Sequence, residues 1–161
     1  MKNNKGFSLV ELIIVIAIMA ILVGVMAPQL IKYIEKTNVS SDSQLCDSVK
    51  TALTTAMMDP TILEKDSDGI TTYTATGWKS VSALDADVTD DPETFSEAVV
   101  EILGFNPKEI NKKIKSAHGA SAAVQYNVVN GTSVHVCITY TDKTGKKTTT
   151  YTDVDKIIYV D

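Results

Sequence analysis

One carboxylate, that of Glu11, stands at the start of a long uncharged stretch and has the clearest chemistry in this sequence. From Leu12 to Ile31 there are twenty residues without a charged side chain. As an α-helix this stretch would be about 30 Å long, which matches the hydrocarbon thickness of a bilayer. A carboxylate at membrane depth costs roughly 2.5–3.5 kcal/mol on insertion scales, so Glu11 is expected to have a cationic partner.

The residues around Glu11 form a motif. A short leader that contains Lys2 and Lys5 ends at Gly6, and the run Phe7-Ser8-Leu9-Val10-Glu11 follows it. This pattern resembles the type IV prepilin signature, in which a Gly cleavage site precedes Phe-Ser/Thr-Leu-x-Glu. Pro28, at a position where many members of that family have a proline, extends the resemblance.

The resemblance implies a specific course of processing and assembly. A prepilin peptidase would cleave after Gly6, and the new amine of Phe7 would be methylated. The mature chain would leave the membrane and polymerise with copies of itself into a helical filament on a pilus assembly platform. There the carboxylate of Glu11 would pair with the Phe7 amine of an adjacent subunit. The implied location is the cytoplasmic (inner) membrane for the precursor and the cell surface for the pilus.

Two ordinary kinds of N-terminal segment are the alternatives. A secretory signal peptide also has a basic start and an apolar middle, and Val25-Met26-Ala27 nearly supplies its small residues. Pro28 would then follow the scissile bond, which is a poor position. A plain single-span anchor explains the length of the apolar stretch. Neither alternative accounts for Glu11, so the prepilin interpretation is favoured.

A single long helix is predicted from Phe7 to Met58. No Gly or Pro interrupts residues 29–59, and Pro60 ends the helical pattern. The first half of the helix is apolar all round and the second half is amphipathic. The predicted buried stripe of the second half consists of Leu30, Ile34, Thr37, Ser41, Leu45, Val49, Leu53 and Met57.

Gly24 and Pro28 are the weak points of this helix. Pro28 has no N–H to donate to the carbonyl of Gly24, and its ring crowds that carbonyl. We therefore predict a helix break, as a kink or local melting, between these two residues.

The rest of the chain predicts an α+β head. Residues 60–91 have turn signals and one weak strand, Ile70–Ala75, and short helices are predicted after an Asp91 cap and an Asn106 cap. An antiparallel meander follows, with the long helix packed on it. Its predicted strands are Val124–Val129, Ser133–Tyr140, Lys147–Thr152 and Ile157–Val160, the first two joined by an Asn130-Gly131 hairpin turn.

These patterns predict three regions. Residues 1–6 are the cleaved leader, residues 7–30 are the half of the helix that lies in the membrane or the filament core, and residues 31–161 are the globular head. After removal of the leader, the head is long enough for one modest domain with its own core.

The charge balance limits the classes of partner. The chain has 15 Lys, no Arg and 20 Asp or Glu, for a net charge of −5. Loss of Lys2 and Lys5 with the leader would make it −7, from 13 minus 20. Nucleic-acid binding is not expected, because neutralising phosphates requires basic patches.

Two cysteines, Cys46 and Cys137, would both lie on the extracytoplasmic side, where disulfides persist. Alternation along the strand places Cys137 on the face opposite Val136 and Ile138. If that apolar face packs on the helix that carries Cys46, the two sulfurs lie in different layers. Two free, buried thiols are favoured by this reasoning, and a disulfide is the alternative.

Catalytic, metal and cofactor sites are not expected. The acidic run that begins at Glu64 resembles the start of a calcium loop through Asp66 and Asp68-Gly69, but its twelfth position is Ala75, where a bidentate Glu is required. His118 and His135 have no ligand-like spacing to each other or to a cysteine. No nucleophile–base pair or phosphate loop is present in the sequence, so the chain is not predicted to be an enzyme.

The leading functional prediction is a structural one, the repeating and major subunit of a type IV pilus. Within the same class, the major pseudopilin of a type II secretion system and a minor pilin are the alternatives. The rival class is a membrane-anchored extracellular binding module that does not polymerise and would keep residues 1–6.

Overall fold

The computed structural model describes residues 8–75, 77–84, 86, 92–116, 121–141, 147–148 and 158–160. The chain divides into two compact units, Met1–Thr37 and Asn38–Asp161. The first unit holds the N-terminal part of the helix α1, and the second holds the rest of α1 together with all the other elements.

Helix α1 runs from Leu9 to Met58 over 50 residues, which confirms the predicted long helix and its C-terminal end. It continues through Gly24 and includes Pro28 within its length. The break that we predict there concerns the helix as it is packed in a filament, and it stays a prediction. Phe7 lies outside the described residues.

The predicted buried stripe of α1 is only partly right. Val49 and Leu53 are buried, but Ser41, Leu45 and Met57 are half-buried at the edge of the interface, and Leu30 and Ile34 are exposed. The residues that face the core share Val49 and Leu53 with the predicted stripe, and the others are one position away from its members or lie between them. They are Asp42, Cys46, Val49, Ala52, Leu53 and Ala56. The first of these residues, Asp42, is charged, and two others are small alanines. The buried face of α1 is therefore only weakly hydrophobic, which makes it difficult to recognise in the sequence.

The chain is helical from residue 60 to residue 74 except at the cap residue Asp66, so the predicted loop is wrong over this part and the predicted strand Ile70–Ala75 is wrong. Helix α2 spans Pro60–Lys65 and helix α3 spans Ser67–Thr74. Both begin at an aspartate cap: the Asp59 carboxylate accepts from the Thr61 N–H at 2.8 Å, and the Asp66 carboxylate accepts from the Gly69 N–H at 3.0 Å. Capping of this kind supplies acceptors for the unpaired N–H groups at the start of a helix.

Asp66 also connects α3 to the next helix, α4 (Phe95–Leu103), because its second oxygen accepts from the Phe95 N–H at 2.9 Å. The cap of α4 is Thr94, not the predicted Asp91, which lies outside the described residues. Thr94 and Glu97 form a full capping box, and this reciprocal pair defines the helix start.

The C-terminal end of α4 and the next helical start were predicted correctly. Gly104 takes the left-handed conformation at φ 70° and ends α4. The Asn106 side chain then accepts from the Lys108 N–H at 2.9 Å and caps a helix over Pro107–Lys113. That helix is a 3-10 helix, and an earlier one spans Val81–Ala83.

The described residues form a sheet of five strands in antiparallel pairs. They are β1 (Lys79–Ser80), β2 (Ser121–Val129), β3 (Ser133–Thr141), β4 (Lys147–Thr148) and β5 (Ile158–Val160). The predicted β2–β3 hairpin is confirmed, with Val128 opposite Val134. Its turn residues Asn130 and Gly131 have φ values of 55° and 69°, as a type I′ turn requires.

The order of the last strands differs from the predicted meander. Among the described residues, β4 pairs with β3 at Tyr140 and Thr141, and β5 pairs with β3 from Val136 to Ile138. The short pairing with β4 leaves the middle of the β3 edge open, and β5 takes that position.

The core lies between one face of this sheet, α1 and α4. Its central members are Cys46, Val49, Leu53, Phe95, Val99, Val124, Tyr126, Val136 and Ile138.

Candidate functional site

A hydrogen bond that Glu11 accepts marks the start of α1. The Ser8 backbone N–H donates to Glu11 Oε2 at 2.9 Å, and the helix begins at the next residue, Leu9. Ser8 is therefore at the cap position and Glu11 is three residues later, as in a capping box. Our sequence reasoning missed this role, although the Ser-x-x-Glu spacing signals it.

Glu11 keeps acceptor capacity beyond this bond. A carboxylate has two oxygens with about four lone-pair sites, and a single N–H occupies one of them. The Glu11 side chain is exposed in the single chain, at the positive end of the helix dipole. The Glu11 carboxylate is thus oriented by the first turn of its own helix, and it remains accessible to a cation on another molecule. Gly6 and Phe7, the predicted cleavage and methylation residues, lie outside the described residues.

The surface of α1 that follows Glu11 is apolar and uncovered. This helix is long and apolar enough to cross a membrane, and no part of its most apolar 18-residue window is buried within the chain. A signal sequence near the N-terminus would pass the same test of length and composition. The exposed side chains include Leu12, Ile13, Ile16, Met19, Leu22, Val23, Met26, Leu30 and Ile31. A patch of this size on a soluble monomer is unusual and indicates that lipid or other protein covers it.

Comparison with known proteins supports what this geometry indicates. A family described as the prokaryotic N-terminal methylation motif matches residues 1–27, which include Gly6, Phe7 and Glu11. Relatives described as a type IV major alpha-pilin and as type IV major fimbrial proteins match beyond that motif. This chain is therefore similar to type IV pilins, in its N-terminal motif and beyond it.

Three relatives indicate how far the similarity extends. A fimbrial protein of Moraxella nonliquefaciens is 44% identical over 55 residues, 34% of this chain and 36% of the relative. The type IV major alpha-pilin of Moraxella bovis is 30% identical over 105 residues, 65% of this chain and 63% of the relative. A Pseudomonas aeruginosa fimbrial protein is 29% identical over 123 residues, 73% and 77% of the two chains. The match thus spans less than two thirds of the length of the first two relatives. No solved structure matches the chain.

The two cysteines are free thiols, and both are buried. Cys46 belongs to the core between α1 and the sheet, together with Val136 and Ile138. Burial raises the pKa of the Cys46 thiol to about 12, with a smaller contribution from the nearby Cys137. Burial alone raises the pKa of the Cys137 thiol to about 12.

We expect native Cys46 and Cys137 to resist alkylation at pH 8, because the reactive thiolate is suppressed and the sulfurs are enclosed. With pKa values near 12 instead of 9, the thiolate fraction of the native chain is lower by about 1,000-fold. The check is mass spectrometry after iodoacetamide treatment of the full chain in detergent, with and without urea. Rapid labelling of either cysteine without urea would contradict this expectation.

A buried carboxylate, Asp42, attaches α1 to the segment that follows the second 3-10 helix. Asp42 is fully buried, and its two oxygens accept from the backbone N–H groups of Lys115 at 2.8 Å and Ser116 at 2.9 Å. The Ser116 hydroxyl also donates to it. Sequence reasoning missed Asp42 because an aspartate next to the serines of a helix usually faces water. Asp42 precedes the buried Cys46 by four residues, and this spacing places both on the same face of the helix.

Replacing Asp42 with Ala is expected to lower the free energy of unfolding of the head by roughly 2–4 kcal/mol, because buried N–H groups would lose their acceptor. Asp47→Ala, which removes an exposed carboxylate from the same helix, is the matched control and should change stability by less than about 0.5 kcal/mol. The measurement is thermal or urea unfolding of the full chain in detergent. Equal effects of the two substitutions would argue against the anchoring role.

The acidic run that resembles a calcium loop has a different role in the structure. Asp66 uses both oxygens as a cap for two helices, and its bonds go to Gly69 and Phe95. A Cβ atom on Gly69 would lie about 2.0 Å from an Asp66 oxygen, so a larger residue there would displace the Asp66 side chain. Within the described part of the chain, no group of three metal-binding side chains lies together. His135 lies on β3, and His118 is outside the described residues.

Proposed function

We propose that this chain is the repeating structural subunit, and the major one, of a type IV pilus. The observation that carries the proposal is the methylation motif placed at the start of a helix whose most apolar 18-residue window is uncovered in the single chain. A helix of this kind suits two apolar environments in succession, lipid in the precursor and neighbouring helices in the filament.

The proposed sequence of events begins in the cytoplasmic membrane. The apolar stretch of residues 7–30 holds the precursor there, with the leader 1–6 on the side of the peptidase. A prepilin peptidase then cleaves after Gly6, the Phe7 amine is methylated, and an assembly platform transfers the subunit into the filament. The final location in this proposal is the cell surface.

Glu11 has the central role in assembly. Extraction from lipid brings a carboxylate into the apolar core of the filament, where a cation on a neighbouring subunit is the favourable partner. The Phe7 amine of that subunit supplies it, and a charge-assisted hydrogen bond results. Because the Ser8 N–H already orients one Glu11 oxygen, the carboxylate meets the amine with less loss of side-chain entropy.

The experiment that tests the proposal is N-terminal mass spectrometry of filaments sheared from cells that express the chain. The expected result is a protein that starts at methylated Phe7 and lacks Met1 to Gly6. Surface protein that retains residues 1–6, or an absence of filaments despite export, would contradict the pilus assignment. A membrane-anchored binding module would give the first of these outcomes.

A helix break in the assembled filament is a further expected result. Without a donor at Pro28, the Gly24 carbonyl lacks its helical partner, and tight packing favours a local extension. Cryo-electron microscopy of the filaments should give backbone density that departs from an α-helix between these residues. Pro28→Ala filaments are the matched control and should have a more regular helix. A straight, unbroken helix in the native filament would contradict the prediction.

A further inference from the structure

A groove lined by lysines lies on the head beside the second half of α1. Its volume is about 400 Å³. One wall is formed by the α1 residues Ser41, Gln44, Leu45 and Ser48. The other is formed by Lys112, Lys113 and Lys115, which are all exposed. The groove is therefore rich in cationic and polar groups, on a chain whose net charge is −5.

The lysine wall of the groove is held in place by specific contacts. Asp42 binds the backbone N–H groups of Lys115 and Ser116, which attaches this segment to α1 at the groove. Lys113 lies over the ring of Phe105, with its Nζ 4.3 Å from the ring centroid. The buried carboxylate thus fixes the backbone of the wall at Lys115, next to the α1 side of the groove.

Within the described residues, one ion pair involves a lysine that lines the groove. Lys112 pairs with Glu109 at 3.2 Å, with side-chain exposures of 77% and 60%. An exposed pair of this kind contributes little free energy and exchanges readily with another carboxylate. Residues 108–115 carry four lysines and one glutamate, a local charge of +3.

The immediately preceding part of the chain has the opposite character. Residues 80–107 contain no lysine and seven acidic residues, namely Asp85, Asp87, Asp90, Asp91, Glu93, Glu97 and Glu101. Among the described members, Glu93 and Glu101 are exposed. Each copy of the chain thus carries both a basic groove and an acidic stretch. The groove of one copy is complementary in charge to the acidic stretch of another copy.

We propose that the lysine groove binds the acidic stretch 80–107 of a second copy of this chain and forms a lateral contact between heads in the filament. The proposal rests on the pilus function above. Helical filaments are built from heterologous contacts, in which a surface of one subunit meets a different surface of the next. A two-fold contact of the groove with itself would bring like charges together, which is unfavourable. The acidic stretch is the complementary occupant that every subunit carries.

Cross-linking of native filaments tests the contact directly. A water-soluble carbodiimide joins an amine to a carboxylate without a spacer, so it reports pairs in direct contact. The expected result is that peptides from the dimer band link Lys112, Lys113 or Lys115 to an acidic residue of 80–107. Dimer-band links from these lysines only to other acids, or an absence of such links, would overturn the proposal.

Neutralisation of the groove gives an independent test. The triple variant Lys112→Gln, Lys113→Gln, Lys115→Gln should yield on the order of tenfold fewer filaments at equal subunit levels, and its yield should depend less on salt. The matched control changes Lys143, Lys146 and Lys147 to Gln, which removes the same charge elsewhere in the sequence. Equal yields and equal salt dependence of the two variants would also overturn the proposal.

Failure of the contact and failure of the pilus assignment are distinguishable. If the unchanged chain forms filaments that start at Phe7, the pilus function stands, and the cross-links decide the groove contact alone. If the unchanged chain forms no filaments, the pilus function itself is wrong, and the groove contact is refuted with it.

Discussion

Glu11→Ala is expected to leave export and cleavage intact and to reduce surface pili by at least about 30-fold. The estimate follows from the loss of a charge-assisted pair in a dry interface, which is worth about 2–5 kcal/mol per subunit contact. Removal of the carboxylate also removes the insertion cost of roughly 2.5–3.5 kcal/mol, so the variant should enter the membrane more readily. A defect confined to assembly is therefore the specific signature of the proposed role.

The structure supplies a control that separates helix capping from pairing. Glu11 accepts the Ser8 N–H, so Glu11→Ala also removes a helix cap. Glu11→Gln keeps an acceptor for that N–H and loses the charge. If charge pairing is the main role, both variants should lose pili to a similar degree.

Glu64→Ala, which removes an exposed carboxylate from α2, is the neutral control. The measurement is filament count by electron microscopy with an immunoblot for the processed subunit. Normal pili on Glu11→Ala cells would refute the pairing role.

Gly6→Val is expected to lower the processed fraction on the order of 100-fold and to abolish pili. The side chain next to the scissile bond must fit the site of the peptidase, and a displacement of about 1 Å from the reactive geometry costs roughly 100-fold in rate. The retained leader would also keep Phe7 from presenting a free amine to Glu11. One substitution therefore removes both cleavage and the pairing group.

The measurement for Gly6→Val is the molecular mass of the membrane-bound subunit, which should include residues 1–6. Asn4→Val, a similar substitution inside the leader and away from the scissile bond, is the matched control and should be processed normally. Complete processing of the Gly6→Val chain would show that the cleavage site is elsewhere. Processing that fails equally in both variants would point to general recognition of the leader instead.

Local sequence signals were sufficient to predict the secondary structure where a residue type strongly favours one backbone conformation. Asn130-Gly131 predicted the β2–β3 turn because both residues tolerate positive φ, and both have it. Gly104 predicted the end of α4 for the same reason. The 3.6-residue period and the absence of Gly or Pro after Pro28 predicted α1 as far as Met58.

Predictions failed where two local signals competed and a helix-capping bond decided between them. Residues 70–75 have the β-branched residues of a strand, but a cap at Asp66 places residues 67–74 in a helix. Asp91 and Thr94 both suit a helix cap, and the reciprocal bond with Glu97 selects Thr94. In each case the deciding bond joins residues three positions apart, so a capping signal was present in the sequence and was missed.

The sequence by itself determined the chemistry of the N-terminus. An uncharged stretch long enough for a bilayer, one carboxylate at its edge and a Gly-Phe junction before it are properties of the chain in any conformation. Only the tertiary structure decided the role of Asp42 and the lysine groove beside it, because both depend on α1 meeting residues 115 and 116, more than 70 positions away. Periodicity assigns faces to a single helix, but it does not specify which distant N–H groups a buried carboxylate will meet. The order of β4 and β5 on the β3 edge was decided in the same way, since strand pairing at that range depends on packing and not on local pattern.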